Sequence, residues 1–129
     1  GSLGIAYFDL NGLKKINDLQ GHQAGDALIR RTAECLLQAF GKKGYRIGGD
    51  EFIVIDHESG RETFLACVRE ALRAMEESHI SISCGISWRA EQGNIDEQIN
   101  EADKRMYLAK RDFYACKGHD RRHCWPGQD

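Results

Sequence analysis

The sequence lacks the features that mark chains built for unusual environments. It has one proline in 129 residues and no apolar run near the roughly 18 residues that a membrane span needs. Its 18 Lys and Arg nearly balance its 20 Asp and Glu, so no charge excess indicates a binder of duplex DNA or of a membrane surface. No signal-peptide pattern opens the chain. These absences predict one cytoplasmic globular domain without a nucleic-acid partner or a membrane contact.

Cysteine is present, but not in a recognised disulfide or metal-binding pattern. The five cysteines are an odd number, and none of them forms a Cys-x-x-Cys pair. Three fall on apolar faces of predicted elements, where we expect small buried hydrophobic residues: Cys35, Cys67 and Cys84. Two cysteines and two histidines cluster near the C-terminus: Cys116, His119, His123 and Cys124. Their spacing matches no common zinc finger or ribbon, so we expect reduced thiols there rather than a metal site.

The hydrophobic pattern predicts strands and helices that alternate along the chain. Strands are predicted at four places: 3–10, 45–47, 52–55 and 80–87. Helices are predicted at three places: 28–40, 64–75 and 95–109. The first strand is a continuous apolar run typical of a central strand covered on both faces, whereas the last alternates with serine and is expected to be half-exposed. This order predicts an α/β fold, specifically an α+β sandwich around one sheet.

A polar segment separates the first strand from the first predicted helix. Gly21 and Gly25 lie within this segment, and we expect them to break any long helix there. A second pair of glycines, Gly48 and Gly49, separates the two short strands. We interpret this pair as a tight hairpin turn, because paired glycines supply the positive φ angles that such turns require.

Acidic residues lie at the ends of two predicted strands. Asp9 ends the first strand, and Asp50 and Glu51 follow the paired glycines. If the hairpin pairs beside the first strand, three carboxylates converge at one edge of the sheet. Like charges that close together are costly unless a cation joins them, and Mg²⁺ prefers carboxylate and carbonyl oxygens. Charge and turn chemistry alone leave a solvated acidic turn as an equal alternative.

Four motifs occur in an order that one known family shares. They are FDLNGLKKINDLQGHQAGDALI (8–29), RIGGDEF (46–52), SCGIS (83–87) and ADKRMYLAK (102–110). Together they cover almost the whole chain, and they resemble the GGDEF domain of diguanylate cyclases, which make cyclic di-GMP. The resemblance implies a palm-like, ferredoxin-like nucleotidyl cyclase fold with a mainly antiparallel central sheet flanked by helices.

The resemblance also implies an activity. Each domain would bind one GTP, and a homodimer would condense two GTP into cyclic di-GMP and two pyrophosphates. The implied cofactor is Mg²⁺, with two ions in each active site, and Mn²⁺ could replace it. The domain would be fused to sensory or other signalling domains. An alternative of a different class is a GTP-binding regulatory module that does not cyclise its ligand, and a third is a module for dimerisation only.

The resemblance assigns the metal and the reaction to five residues. Asp9, the Leu10 carbonyl and Glu51 would hold Mg²⁺. Asp50 would lie beside the metal and act as the base toward the incoming 3′-hydroxyl. Lys110 matches a catalytic position near the phosphates, where a positive charge offsets charge on the transferring group.

The resemblance assigns substrate binding to five further residues. Asn17 and Asp26 match the family's guanine readers, although a turn-forming Asn and a helix N-cap Asp are the structural alternatives. Lys14 matches a second position near the phosphates, with a solvated lysine as its alternative. Gly48 and Gly49 would let the backbone approach the α-phosphate.

The chain departs from the family pattern at several positions. Asn11 replaces the second acid of an Asp-x-Asp pair, and Ala-Phe-Gly-Lys at 39–42 stands where product-inhibited members carry Arg-x-x-Asp, so we expect no inhibitory site. A second basic phosphate contact is replaced by Tyr114 or His119, depending on the alignment. The usual motif upstream of the first strand is missing and Gly1-Ser2 looks like a tag remnant, so we expect residues 1–129 to be one N-terminally truncated domain. Arg46 is expected to be a structural ion-pair partner.

Overall fold

A computed structural model describes residues 1–116 of the chain. The strands are β1 (Leu3–Leu10), β2 (Gly44–Arg46), β3 (Glu51–Asp56) and β4 (Ile82–Arg89). The helices are α1 (Leu13–Gln20), α2 (His22–Phe40), α3 (Arg61–Glu77) and α4 (Ile95–Ala115). A short 3-10 turn, Gly41–Lys43, joins α2 to β2. The predicted fold class is confirmed, since helices flank a single sheet.

The four strands form one antiparallel sheet in the order β2-β3-β1-β4. β1 pairs with β3 on one side and with β4 on the other, and all eight of its residues are buried. The apolar run therefore forms the central strand that its composition predicts, because only a strand covered on both faces buries a continuous hydrophobic segment.

The two faces of the sheet carry separate hydrophobic clusters. One face packs against α2 and α3, and its largest fully buried side chains include Phe8, Phe64 and Leu36. The other face packs against α4 through Tyr7, Met106 and their buried neighbours. Alternate residues of β1 point to opposite faces, so this single strand contributes to both clusters.

The polar segment after β1 contains a helix that the sequence analysis missed. Residues 13–20 form α1, and Gly21, at a φ of 90°, ends α1 and starts α2. The expectation that Gly25 breaks a helix is wrong, because α2 begins at His22 and Gly25 lies buried within it. Gly25 serves close packing instead: a Cβ there would lie 1.8 Å from Oδ1 of Asn17 on α1.

The last strand is shifted and more buried than its alternation predicts. β4 begins at Ile82 rather than at residue 80, and the serine-bearing face expected to be exposed contains the buried residues Ser83, Gly85 and Ser87. The prediction of a half-exposed strand is wrong because α4 covers this face. Gly85 permits the close approach, since a Cβ there would lie 2.0 Å from the Ala102 carbonyl oxygen.

The connection between β2 and β3 is wider than the predicted two-residue turn. Arg46 pairs with Phe52, which leaves residues 47–51 between the last paired positions. The N–H of Ile47 donates to the Glu51 carbonyl at 2.9 Å. Among the described residues, positive φ angles occur at Gly12, Gly21, Gly41 and His79. The prediction of a tight primed turn at 48–49 is therefore wrong, and a positive φ angle is not the reason for glycine at these two positions.

The cysteines follow the prediction in part. Cys35, Cys67 and Cys84 are free thiols; Cys35 is buried and the other two are half-buried. The expectation of reduced thiols near the C-terminus is wrong for Cys116, which is disulfide-bonded. The other members of that predicted cluster lie outside the described residues. Within residues 1–116, no helix combines the length and the apolar character needed to cross a membrane.

Candidate functional site

The acidic residues at the end of β1 and the start of β3 lie side by side on adjacent strands. Asp9 pairs directly with Glu51 in the β1–β3 register. The next residue, Leu10, donates its N–H to the Asp50 carbonyl at 2.9 Å. The strand pairing therefore brings Asp9, Leu10, Asp50 and Glu51 together at one end of the sheet, as the hairpin placement required.

The acidic side chains at this edge do not form a three-carboxylate metal site. Within residues 1–116 there is no group of three or more His, Cys, Asp or Glu side chains placed to hold a metal ion. Asp9, Glu51 and the Leu10 carbonyl, the donors that the family resemblance assigns to the metal, lie at this edge. The Oδ1 atom of Asp9 is buried and accepts no hydrogen bond from the described residues. One or two carboxylates with a carbonyl fit Mg²⁺, which commonly takes its remaining ligands from water and substrate phosphates.

The Asp9 carboxyl group lies in an environment that disfavours its charged form. The pKa of Asp9 is raised to about 6: burial is the main cause, the Lys110 charge opposes the rise, and the nearby carboxylates of Asp50 and Glu51 add to it. A carboxylate removed from water needs a compensating cation. The electrostatics of this strand end therefore favour a bound positive charge.

Lys110 of α4 supplies a positive charge at this position. Its Nζ donates a hydrogen bond to the Leu10 carbonyl at 2.9 Å and lies 3.2 Å from Oδ1 of Asp9. The second contact is an ion pair with a buried carboxylate oxygen. The ammonium group also lies 6.0 Å from the centroid of the Tyr114 ring. Lys110 thus contacts two of the oxygen donors assigned to the metal.

Tyr7 belongs to the same surroundings and was missed by the sequence analysis. Burial raises the pKa of the Tyr7 hydroxyl to about 12, with further contributions from Glu51, Asp103 and Asp9 and from a hydrogen bond with the Glu51 side chain. The strand period of two could have indicated this residue, because Tyr7 and Asp9 lie on the same face of β1. A neutral tyrosine here can donate to the Glu51 carboxylate and orient it.

The glycine loop is held by a side chain from β2. Arg46 donates from Nε to the Gly48 carbonyl at 3.0 Å and from Nη2 to the Gly49 carbonyl at 2.9 Å. Within residues 1–116 these carbonyl contacts replace the expected ion pair of Arg46. A Cβ at Gly49 would meet no atom of residues 1–116 within 4 Å, whereas one at Gly48 would lie 3.2 Å from the Glu51 side chain. The backbone at Gly49 is therefore open to a ligand.

The predicted guanine readers lie on neighbouring helices. Asn17 is inside α1, and Asp26 is an exposed residue inside α2. The alternatives of a turn Asn and an N-cap Asp are therefore wrong. Oδ1 of Asn17 is buried against Gly25 and has no hydrogen-bond partner in the described part of the chain. Lys14, one turn earlier on α1, is exposed.

The departures at Asn11 and Tyr114 have structural roles. Asn11 is buried, donates to the Ser81 hydroxyl at 3.1 Å and accepts from the Ser83 hydroxyl at 2.8 Å. The Gly12 N–H donates to the Tyr114 hydroxyl at 3.0 Å. A groove of about 350 Å³ adjoins these residues, but none of the predicted metal, catalytic or substrate residues lines it. We therefore assign the site by the strand-end chemistry rather than by this groove.

Comparison with known proteins gives consistent results. A family model described as "Diguanylate cyclase, GGDEF domain" matches residues 1–114. The chain is 30% identical over 123 residues to the diguanylate cyclase DgcS of Shewanella oneidensis, covering 90% of this chain and 42% of that protein. It is 32% identical over 119 residues to the cyclic di-GMP phosphodiesterase PdeR of Escherichia coli, covering 84% of this chain and 18% of that protein.

The fold is similar to solved structures as well. An EAL/GGDEF domain protein from M. capsulatus is 28% identical, with a TM-score of 0.74 over 86% of this chain and 79% of that one. A sensory box/GGDEF family protein from Caulobacter crescentus is 32% identical, with a TM-score of 0.67 over 85% of this chain and 79% of that one. The chain spans less than half the length of the two curated relatives.

Proposed function

The chain belongs to the GGDEF domain family, and we propose that it is the catalytic domain of a diguanylate cyclase that condenses two GTP into cyclic di-GMP and two pyrophosphates. The observation that carries this proposal is the pairing of Asp9 with Glu51, with the Leu10 carbonyl beside them. This arrangement supplies the hard oxygen donors that nucleotide chemistry with Mg²⁺ requires.

The proposal gives each acidic residue a separate role. Asp9, Glu51 and the Leu10 carbonyl would hold Mg²⁺, or Mn²⁺ in its place, with two ions expected in each active site. The metal would supply Lewis-acid activation of the hydroxyl and phosphoryl oxygens. Tyr7 would orient Glu51 through their hydrogen bond. The exposed backbone at Gly49 and its neighbour Gly48 would accept the close approach of the α-phosphate.

The reaction joins two domains that face each other. The 3′-oxygen of one GTP attacks the α-phosphorus of the GTP in the other domain, and the bond from that phosphorus to the bridging oxygen breaks as pyrophosphate leaves. Asp50 takes the hydroxyl proton. Lys110 and Lys14 provide positive charge for the phosphates. Two such transfers close the ring, so the proposed catalyst is a homodimer within a larger signalling protein.

Residues of α1 and α2 would select the guanine base of the substrate. Asp26 can accept from the N1–H and the exocyclic amine of guanine, while adenine presents a different donor pattern on the same edge. Oδ1 of Asn17 has no hydrogen-bond partner among residues 1–116, which supports a polar ligand at the α1–α2 junction, because a buried amide oxygen is normally hydrogen-bonded. We expect the site to prefer GTP to ATP.

The test is an assay of the full-length dimer with GTP and Mg²⁺, with cyclic di-GMP measured by chromatography. Asp50→Asn should lower product formation by about 100-fold or more while GTP still binds, since it removes only the base. Asp96→Asn is the matched control, because this exposed acid lies in the first turn of α4, far along the helix from Lys110. A folded dimeric wild-type protein that makes no cyclic di-GMP would reject the catalytic proposal.

A second candidate function is a GTP-binding regulatory module without turnover. It is favoured by the match to PdeR, a protein named for phosphodiesterase activity, and by Tyr114 at the expected basic position. GTP titration should then show saturable binding without product. Asp50→Ala should leave the regulation of the partner domain unchanged, whereas Asp26→Ala should abolish it.

A further inference from the structure

The Lys110 side chain occupies the space in front of two assigned metal ligands. Its ammonium nitrogen lies 2.9 Å from the Leu10 carbonyl oxygen and 3.2 Å from Oδ1 of Asp9. Under the proposed function, the same two oxygens would hold Mg²⁺. The ammonium group and the metal would therefore compete for the same lone pairs, and their like charges would repel at this range.

The position of Lys110 is fixed by the packing of α4. Met106 lies one turn earlier and is buried against β1, so Lys110 follows on the same face of the helix. Its stem is mostly covered, and its head reaches the end of the strand. The backbone of α4 lies against Gly85 of β4, which holds the helix close to the sheet. The helix itself cannot move without breaking this packing, but the four-bond lysine side chain can rotate away.

The surroundings of Asp9 stabilise one cation but not two at the same time. Asp9 is buried with the carboxylates of Asp50 and Glu51 nearby, and Lys110 is the cation that contacts it in the described part of the chain. A divalent ion that enters alone must break the Lys110 contacts and leave its ammonium group close by. A triphosphate brings oxygens that accept hydrogen bonds from the displaced lysine. Binding of the metal and the nucleotide together therefore removes the repulsion between the metal and the Lys110 ammonium group.

We propose that Lys110 is a built-in competitor for the metal site, which weakens binding of a divalent cation alone and couples tight metal binding to the arrival of the nucleotide triphosphate. This inference rests on the proposed function and adds a positioning role for Lys110. The lysine holds the carboxylate and the carbonyl in place, and it is released to the phosphates when metal and nucleotide bind.

The test measures Mn²⁺ binding by electron paramagnetic resonance in the full-length protein, without nucleotide and then with a non-hydrolysable GTP analogue. Lys110→Met should tighten binding of Mn²⁺ alone by about tenfold, since it removes the competing charge. The same variant should show a smaller gain in Mn²⁺ affinity on addition of the analogue than the wild type shows. Lys104→Met is the matched control, because this exposed lysine lies on the same helix.

The possible outcomes separate this inference from the proposed function. If Lys110→Met binds Mn²⁺ alone no more tightly than Lys104→Met does, the inference is wrong, even if cyclic di-GMP is formed. If the folded wild type and both variants bind no Mn²⁺ with or without the analogue, the metal site and this inference both fail. Circular dichroism establishes that each variant is folded, so that a loss of binding is not a loss of structure.

Discussion

The contact between β4 and α4 provides a sharp test of the packing that positions the site. Gly85 lies on the face of β4 that α4 covers. A Cβ at this position would lie 2.0 Å from the Ala102 carbonyl oxygen and 2.2 Å from the Met106 nitrogen. Favourable carbon contacts lie at about 3.5 to 4 Å, so Gly85→Ala would force the α4 backbone to withdraw by more than about 1 Å.

The loss in the free energy of unfolding depends on which buried groups the withdrawal of α4 exposes. Overpacked core substitutions cost about 1–3 kcal/mol, and occasionally more. Here the obstacles are helix backbone atoms rather than the end of a flexible side chain, and Ala102 and Met106 are both buried in the adjoining cluster. We expect Gly85→Ala to lower the free energy of unfolding by about 3 kcal/mol, which corresponds to a Tm decrease of about 10 °C.

Urea denaturation followed by circular dichroism measures this change. Gly93→Ala is the control, since the nearest atom to a Cβ at Gly93 is 3.9 Å away. The control should change the free energy of unfolding by less than about 0.5 kcal/mol. A Gly85→Ala protein that loses less than about 1 kcal/mol would refute the argument that backbone contact sets the distance between α4 and the sheet.

Two further predictions concern other parts of the fold. Gly25→Ala should weaken GTP binding by about tenfold in an equilibrium titration, because a Cβ there would lie 1.8 Å from Oδ1 of Asn17 and displace that side chain; unchanged affinity would contradict this. Asp56 is buried, which raises its pKa, but hydrogen bonds from the Glu58 and Ser59 N–H groups and the charge of Lys43 give a net lowering. Its contribution to stability is therefore present above about pH 4 and lost as the pH falls through its folded pKa. Asp56→Asn should destabilise the protein by about 1–3 kcal/mol at pH 7 and by less at pH 3, measured by urea denaturation, and a difference independent of pH would contradict the assignment.

The central parts of the fold were predictable because their signals are local. A run of eight residues that is apolar except for Asp9 indicates a strand buried on both faces, and β1 has that burial. The apolar spacing near residues 64–75 predicts the middle of α3, which the structure extends to Arg61–Glu77. The pairing of β1 with β3 places Asp9 opposite Glu51, the two proposed metal donors, and the sequence analysis gave this pairing only as a condition.

The errors arose where tertiary contacts override local signals. α1 is only eight residues long and has no fully buried residue, so the short apolar stripe that includes Leu13 and Ile16 was too brief to indicate a helix. The serines of β4 looked solvent-facing because nothing near them in sequence shows that α4 covers them. The contact of Lys110 with Leu10 joins residues 100 positions apart, and no local pattern indicates it.

The double pairing of β1 has a consequence for how the site can be controlled. Asp9 sits on the strand that is bonded on both sides, so its backbone opens only when the whole sheet opens. The surrounding parts, which are the loop at 47–50, the exposed α1 and the Lys110 side chain, are less constrained. Asp9 is therefore the fixed point of the site, and a rearrangement there moves the loop, α1 or the Lys110 side chain relative to the acid rather than moving the acid itself.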